Sequence, residues 1–136
     1  MLTLPLRLSP GQDLRRALED TVHAHGHSAA FVLSAIGSLS EAHIRFAGAA
    51  KATVVTGKLE LLSLSGSIAA TGAHLHGALA TDDGTVLGGH LAYGCLVRTT
   101  AEVLLGLLPD WHFTREADAA TGYPELVVQP KPPAGD

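Results

Sequence analysis

Two short segments, residues 74–81 and 85–92, alternate as β-strands do and are joined by Asp82-Asp83-Gly84. This connection predicts a β-hairpin with a three-residue loop, whose last position takes a positive φ that glycine adopts at little cost. A hairpin fixes which residues face each other, because side chains alternate between the two faces of a strand. The predicted hairpin therefore constrains the fold more than any other feature of the chain.

The length of the loop decides where the three histidines of the hairpin point. With a three-residue loop, His76 lies directly across from His90, and His74 lies on the same face of its own strand. Opposite Cβ atoms are about 5 Å apart and same-face neighbours about 7 Å apart, so the three imidazoles can converge on one ion. A two-residue Asp83-Gly84 turn would instead place His90 on the opposite face.

The leucines of the hairpin favour the three-residue loop, because only that register gathers them on one face, the predicted core side. They are Leu75, Leu79, Leu87 and Leu91. The histidine face then carries small residues, which leave room for an ion and a ligand. Neutral imidazoles suit zinc, and three of them leave one coordination position open, although nickel, copper or iron accept the same ligand type. The residues alone leave two interpretations of His74, His76 and His90: a shared metal site, with zinc preferred, or surface or core histidines that form ordinary hydrogen bonds.

Composition limits the domain organisation and the class of protein. The 136 residues, of which 46% are hydrophobic, are enough for one sizeable core but too few for two ordinary domains. Residues 1–129 are predicted to form a single domain, followed by a disordered Pro-rich tail at 130–136. The formal net charge of −4, without any run of Lys and Arg, argues against a basic nucleic-acid surface. A single cysteine, no apolar stretch of membrane length and no recognisable signal peptide favour a cytoplasmic protein.

Around the hairpin, the patterns predict one helix and several further strands. Residues 12–25 have apolar side chains at helical spacing, with Ser9 as a candidate cap and Gly26 as a stop. Further strands are predicted at residues 3–8, 29–35, 42–46, 53–55 and 59–64, and residues 93–106 form a strand pair or one bent strand. Shorter strand-like patterns at 111–116 and 126–128 stand isolated. The chain is thus expected to pack an amphipathic helix on a sheet.

Two glutamates interrupt apolar runs of the predicted strands. Glu60 and Glu102 are either outward-facing strand residues or carboxylates turned into a cleft beside the histidines. In the second case they are the first candidates for a general base or for a group that orients a metal ligand. Thr100 is a weaker polar candidate.

Several blocks occur in order along roughly residues 3–129, namely 36–42, 57–67, 74–76, 83–91, 94–97 and 100–102. Together they resemble the PPC domain family (plants and prokaryotes conserved). The resemblance implies an α+β fold, in which an antiparallel β-sheet carries the N-terminal helix, and assembly into a homotrimer. Stand-alone prokaryotic members that keep His-x-His and Gly-Gly-His resemble metal-site proteins, and this implies that His74, His76 and His90 are metal ligands.

Three functions remain open at this point. The first is a zinc-binding protein that acts as a metal-dependent enzyme or binds a small-molecule ligand. The second is a non-enzymatic oligomerisation or regulatory module. Plant members of the family carry AT-hook segments, short basic arms that enter the minor groove of A·T-rich DNA. Because this chain shows no such arm, direct DNA binding is not expected. The third is a metal with a purely structural role.

Overall fold

The computed structural model describes residues 1–133 and 135, and in that part of the chain one helix and eight strands are present. In chain order they are β1 (Leu2–Leu8), α1 (Leu14–Ala24), β2 (Ala29–Arg45), β3 (Thr53–Ala69), β4 (Gly72–Ala80), β5 (Val86–Leu91), β6 (Leu96–Leu107), β7 (Trp111–Ala117) and β8 (Pro124–Pro130). Six strands form an antiparallel sheet in the order β1-β6-β2-β3-β4-β5, and β5 also pairs with the end of β2. The expected antiparallel sheet with one packed helix is confirmed.

The helix α1 packs on the sheet through one apolar stripe, and the main core lies between them. The stripe consists of Leu14, Leu18 and Val22, which are fully buried. The helix begins after Asp13, whose side chain accepts a hydrogen bond from the backbone N–H of Arg16. The predicted cap, Ser9, is therefore wrong. The chain first turns at Gly11, whose φ is +85°, so Ser9 lies too far from the first helical turn.

Several of the predicted strands belong to longer ones. β2 and β3 are each continuous over 17 residues, where two separate strands were predicted. A register shift in the β2–β3 pairing, where Leu39 pairs with Leu59 and Glu41 with Thr56, lies where both breaks were predicted. Residues 93–106 contain one strand, β6, rather than a pair. The two isolated patterns near the end pair with each other, because β7 and β8 form a separate two-stranded sheet.

The β4–β5 hairpin has the register predicted from the three-residue loop. His76 pairs with His90, so both side chains lie on the same face. The leucines of the other face belong to the core or pack against it, as predicted: Leu75, Leu79, Leu87 and Leu91. The alternative two-residue turn is thereby excluded.

Hydrogen bonds within the loop stabilise this register. The N–H of Gly84, at a φ of +86°, donates to the carbonyl of Thr81 at 2.9 Å. The Thr81 hydroxyl and then the backbone N–H of Thr85 donate to the Asp83 carboxylate, and these bonds lower the pKa of Asp83 to about 2. The loop therefore satisfies its own polar groups without help from the rest of the chain.

Gly66 on β3 allows β4 to approach closely. Its φ is +154°, and a Cβ added there would lie 2.0 Å from the carbonyl oxygen of His74. Its neighbours Ser65 and Ser67 pair with His76 and His74. Glycine at this position therefore permits the contact that holds the histidine strand against β3.

The predicted boundary between domain and tail falls at the end of β8. Pro130, the first residue of the predicted tail, still pairs with Trp111. Residues 131–133 lie in neither a helix nor a strand, and residues 134 and 136 lie outside the described residues. The single domain and the disordered tail stay predictions. In the described ranges, no helix has the length and apolar character needed to cross a membrane.

The close approach at Gly66 can be tested with a matched pair of alanine variants. Gly66→Ala is expected to lower the free energy of unfolding by at least about 2 kcal/mol, because the backbone of β4 must move away. Gly57 also has a positive φ, +129°, but open space around it, so Gly57→Ala is expected to cost about 1 kcal/mol. Denaturant unfolding measures both, and equal losses would show that the contact with β4 is unimportant.

Candidate metal centre

Three imidazole rings meet on the solvent-facing side of the β4–β5 hairpin. Nε2 of His76 lies 3.1 Å from Nε2 of His74 and 3.1 Å from Nδ1 of His90. One ligand nitrogen from each ring lies within 4.8 Å of the other two. The structure thus brings the three predicted ligands together.

The spacing of these nitrogens suits a tetrahedral zinc ion. Nitrogens bound at about 2.0–2.1 Å around a tetrahedral zinc lie about 3.3 Å from one another. Two of the three separations are 3.1 Å, and small movements of partly exposed rings would adjust the third. The donor set therefore fits the ion.

Hydrogen bonding alone does not account for the position of His76. Its Nε2 atom faces two ring nitrogens at equal distance. A ring nitrogen has one in-plane hydrogen or one lone pair, so it forms one good hydrogen bond rather than two. A cation between the three nitrogens would use all their lone pairs at once.

The surroundings keep two of the imidazoles neutral. Burial, followed by the positive charge of Arg115, lowers the pKa of His74 below its usual value. Burial, followed by the charge of Arg45, likewise lowers the pKa of His90. Because a proton and a metal ion compete for the same lone pair, a lowered pKa keeps the ring available for metal binding.

A cleft of about 620 Å³ opens beside His74 and His90. Charged side chains from four different elements line it: Arg15 of α1, Arg45 of β2, Arg115 of β7 and Glu125 of β8. Alanine and leucine side chains form much of the remaining wall. An ion at the histidines would thus stand at the edge of a pocket large enough for a small molecule.

Two of these arginines stand directly beside predicted ligands. Arg45 lies opposite His90 where β2 pairs with β5. Nη2 of Arg115 donates a 3.0 Å hydrogen bond to Oγ of Ser67, and Ser67 pairs with His74. The sheet register thus places the backbone of Arg45 beside His90, and its guanidinium group donates a 3.5 Å hydrogen bond to the carbonyl of Ala49 in the following loop.

The candidate carboxylate Glu60 does not reach the histidines. It is exposed and pairs with Ala80, which lies four positions beyond His76 on β4, roughly 13 Å away. It does not line the cleft.

Glu102 and Thr100 also lie away from the cluster. Both are on β6, which is separated from β4 by β2 and β3, so the two strands are roughly 14 Å apart. Glu102 is exposed and pairs with Arg7 and Ile36. The outward-facing alternative therefore describes both glutamates.

The charged groups of the cleft were not predicted from the sequence. Arg45 is found only when the short β2–β5 pairing is known, and Arg115 and Glu125 only when the β7–β8 hairpin is known. The strand patterns of residues 111–116 and 126–128 were a signal for that hairpin, but they did not say where it packs.

Comparisons with known proteins agree with this fold. A family model described as the Plants and Prokaryotes Conserved (PCC) domain matches residues 1–109. Among curated proteins, the chain is similar to the Bifunctional protein GlmU of Synechococcus sp. (strain JA-2-3B'a(2-13)), with 48% identity over 132 residues, which make up 97% of this chain and 21% of that protein. The chain therefore spans about a fifth of the length of the curated relatives it matches.

Two solved structures are similar over nearly the whole chain. A hypothetical protein from Salmonella cholerae-suis is 39% identical, with a TM-score of 0.92 and coverage of 96% of this chain and 94% of that chain. A metal-containing protein from Archaeoglobus fulgidus is 30% identical, with a TM-score of 0.78 and coverage of 93% and 94%.

The lowered pKa values predict how the metal-free protein responds to pH. Because His74 and His90 have lower pKa values in the folded state, the unfolded chain binds more protons below about pH 6.5. The free energy of unfolding is therefore expected to fall as the pH decreases through that range. Urea unfolding with a chelator present measures this slope. A His74→Gln/His90→Gln variant should show a shallower slope, and an unchanged slope would contradict the assignment.

Proposed function

The chain belongs to the Plants and Prokaryotes Conserved (PCC) domain family, and we propose that it is a zinc-binding member whose metal centre takes a small ligand. The observation that carries the proposal is the convergence of three imidazole nitrogens within 4.8 Å of one another. A second support is the similarity to the metal-containing protein of Archaeoglobus fulgidus. Because the chain covers about a fifth of its curated relatives, the proposal concerns this domain alone.

His74, His76 and His90 would hold the ion, and two of them, His74 and His90, also line the cleft. When bound, zinc supplies a Lewis acid that lowers the pKa of a water molecule or polarises a carbonyl or carboxylate oxygen. The cleft residues would bind and orient the small molecule. Both a metal-dependent enzyme and a ligand-binding protein need these properties.

A purely structural role for the ion has less support. The histidines lie on the outer face of the hairpin, whereas the leucines that pack with the core lie on the opposite face. Structural zinc typically has four protein ligands, and three are present within the described residues. The ion would therefore not be part of the apolar core.

The metal site is tested by elemental analysis of protein purified without a His tag. We expect about one zinc per chain in the wild type and little in His76→Ala, which removes the central ligand. His25→Ala is the matched control, because His25 is an exposed imidazole at the end of α1, bonded to the carbonyl of Thr21.

Two results would contradict the proposal. A wild-type protein without stoichiometric metal would overturn it. Equal metal content in His76→Ala and the wild type would place the ion elsewhere.

We also propose that the protein assembles as a homotrimer, as the family resemblance implies. Apolar side chains remain exposed along β2 and β3, which are central strands of the sheet. They are Phe31, Leu33, Ile36 and Leu62. Exposed apolar surface of this kind commonly marks a protein interface, and further copies of the chain would cover it.

The assembly is tested by light scattering after size-exclusion chromatography. We expect a mass three times the 14.0 kDa of one chain. Leu33→Glu should give monomers, because burying its charge in an apolar interface is unfavourable. Val86→Glu, at an exposed position beside the hairpin loop, should leave the mass unchanged. A monomeric wild type, or a trimeric Leu33→Glu variant, would overturn the proposed interface.

A further inference from the structure

We propose that the cleft beside the histidines binds a small organic carboxylate. One carboxylate oxygen would occupy the open metal position, and the remaining negative charge would lie against Arg45 and Arg115. The inference rests on the proposed zinc site and adds the chemical class of its ligand.

The charged side chains of the cleft are mostly positive. Three arginines and one glutamate line it, although the whole chain has a formal net charge of −4. Burial and, to a smaller extent, the charge of Arg15 lower the pKa of Arg115, whereas Glu125 raises it. A zinc ion would add two further positive charges at the edge of the same space. Like charges held together raise the free energy of the site, and an anion placed between them lowers it.

Two arginines that line the cleft each have an unpartnered donor. The Nε atoms of Arg15 and Arg115 are buried and have no hydrogen-bond partner within the described part of the chain. The carboxylate nearest to Arg15, that of Glu19, lies 3.6 Å from its Nε. This ion pair is too long for a good hydrogen bond, and the same carboxylate accepts the single hydrogen of the Tyr93 hydroxyl, which lies near both oxygens. A buried N–H without an acceptor is unfavourable, so a small shift of these side chains that brings the N–H groups to the acceptor oxygens of a ligand would be stabilising.

The cleft is large, and part of its wall is apolar. A volume of about 620 Å³ is far larger than a single inorganic anion needs and lies within the range of sites for small molecules. Apolar side chains form part of the lining, among them Ala47, Ala52, Leu91 and Pro124. An organic acid would place its hydrocarbon portion against these side chains, whereas inorganic phosphate would leave them in contact with water.

The chemistry of both binding groups favours a carboxylate. The planar guanidinium group presents paired N–H donors that match the two oxygens of a carboxylate. Zinc accepts carboxylate oxygens readily in addition to imidazole nitrogens. A dicarboxylate can therefore use the ion and the arginines at the same time.

Malonate is a suitable probe, because it is a small dicarboxylate with a neutral counterpart, malonamide. Calorimetric titration of the zinc-loaded protein is expected to show saturable binding of malonate and none of malonamide. Arg45→Gln and Arg115→Gln should each weaken malonate binding at least about tenfold, because each removes a charged donor facing the ligand. Arg98→Gln is the matched control, since Arg98 is exposed on β6 and outside the cleft. Zinc content should stay the same in all three variants.

The outcomes separate this inference from the proposed zinc site. Zinc-loaded protein that does not bind malonate, or arginine variants that bind it like the wild type, would overturn the inference and leave the metal site intact. Protein without zinc by elemental analysis would overturn both. Phosphate binding tighter than malonate in the same titration would overturn the carboxylate class. Because Arg115 also bonds Ser67 and Arg45 also bonds the carbonyl of Ala49, both variants are needed, with circular dichroism as the check of the fold of each.

Discussion

The register of the β4–β5 hairpin is the constraint on which the rest of the site depends. A shift by one residue would move His90 toward the core and bring Leu91 to the surface, because neighbouring residues point to opposite faces. Burying one leucine side chain contributes roughly 1.5–3 kcal/mol, so exposing several at once would be strongly unfavourable. The apolar face of the hairpin therefore determines that the histidines share the other face. Local hydrogen bonds within the loop ending at Gly84 favour the same register.

Features that depend on neighbouring residues could be predicted from the sequence. The hairpin and the helical stripe are of this kind, because strand alternation and helical spacing are visible within a few residues. The break predicted after residue 35 was wrong for a physical reason. A Cβ added at Gly37 would lie 2.6 Å from the carbonyl oxygen of Thr100, so this glycine permits close contact between β2 and β6 within a continuous strand. Glycine occurs both in turns and where two strands approach closely, so a glycine in the sequence does not distinguish between them.

The residues of the site likewise differ in whether neighbouring residues in the chain reveal their position. The three histidines belong to one hairpin and were found by counting, whereas Arg45, Arg115 and Glu125 come from strands distant in the chain. Their position depends on which strands pair and where the β7–β8 hairpin packs. Glu60 shows that a local pattern can also suggest a site residue wrongly. A charge inside an apolar run predicts a change of face, but not whether that face leads to a cleft or to open solvent.

Arg45 and Arg115 have two opposite effects on the metal centre. Their charges help to keep His90 and His74 neutral, which favours metal binding, but the same charges repel the ion itself. An anion in the cleft would remove the repulsion while the imidazoles stay neutral. Metal and anion would then each raise the affinity for the other by the same factor, because coupling between two binding events is reciprocal. On this view the histidines determine where the ion binds, and the arginines determine how strongly its binding depends on an anionic ligand.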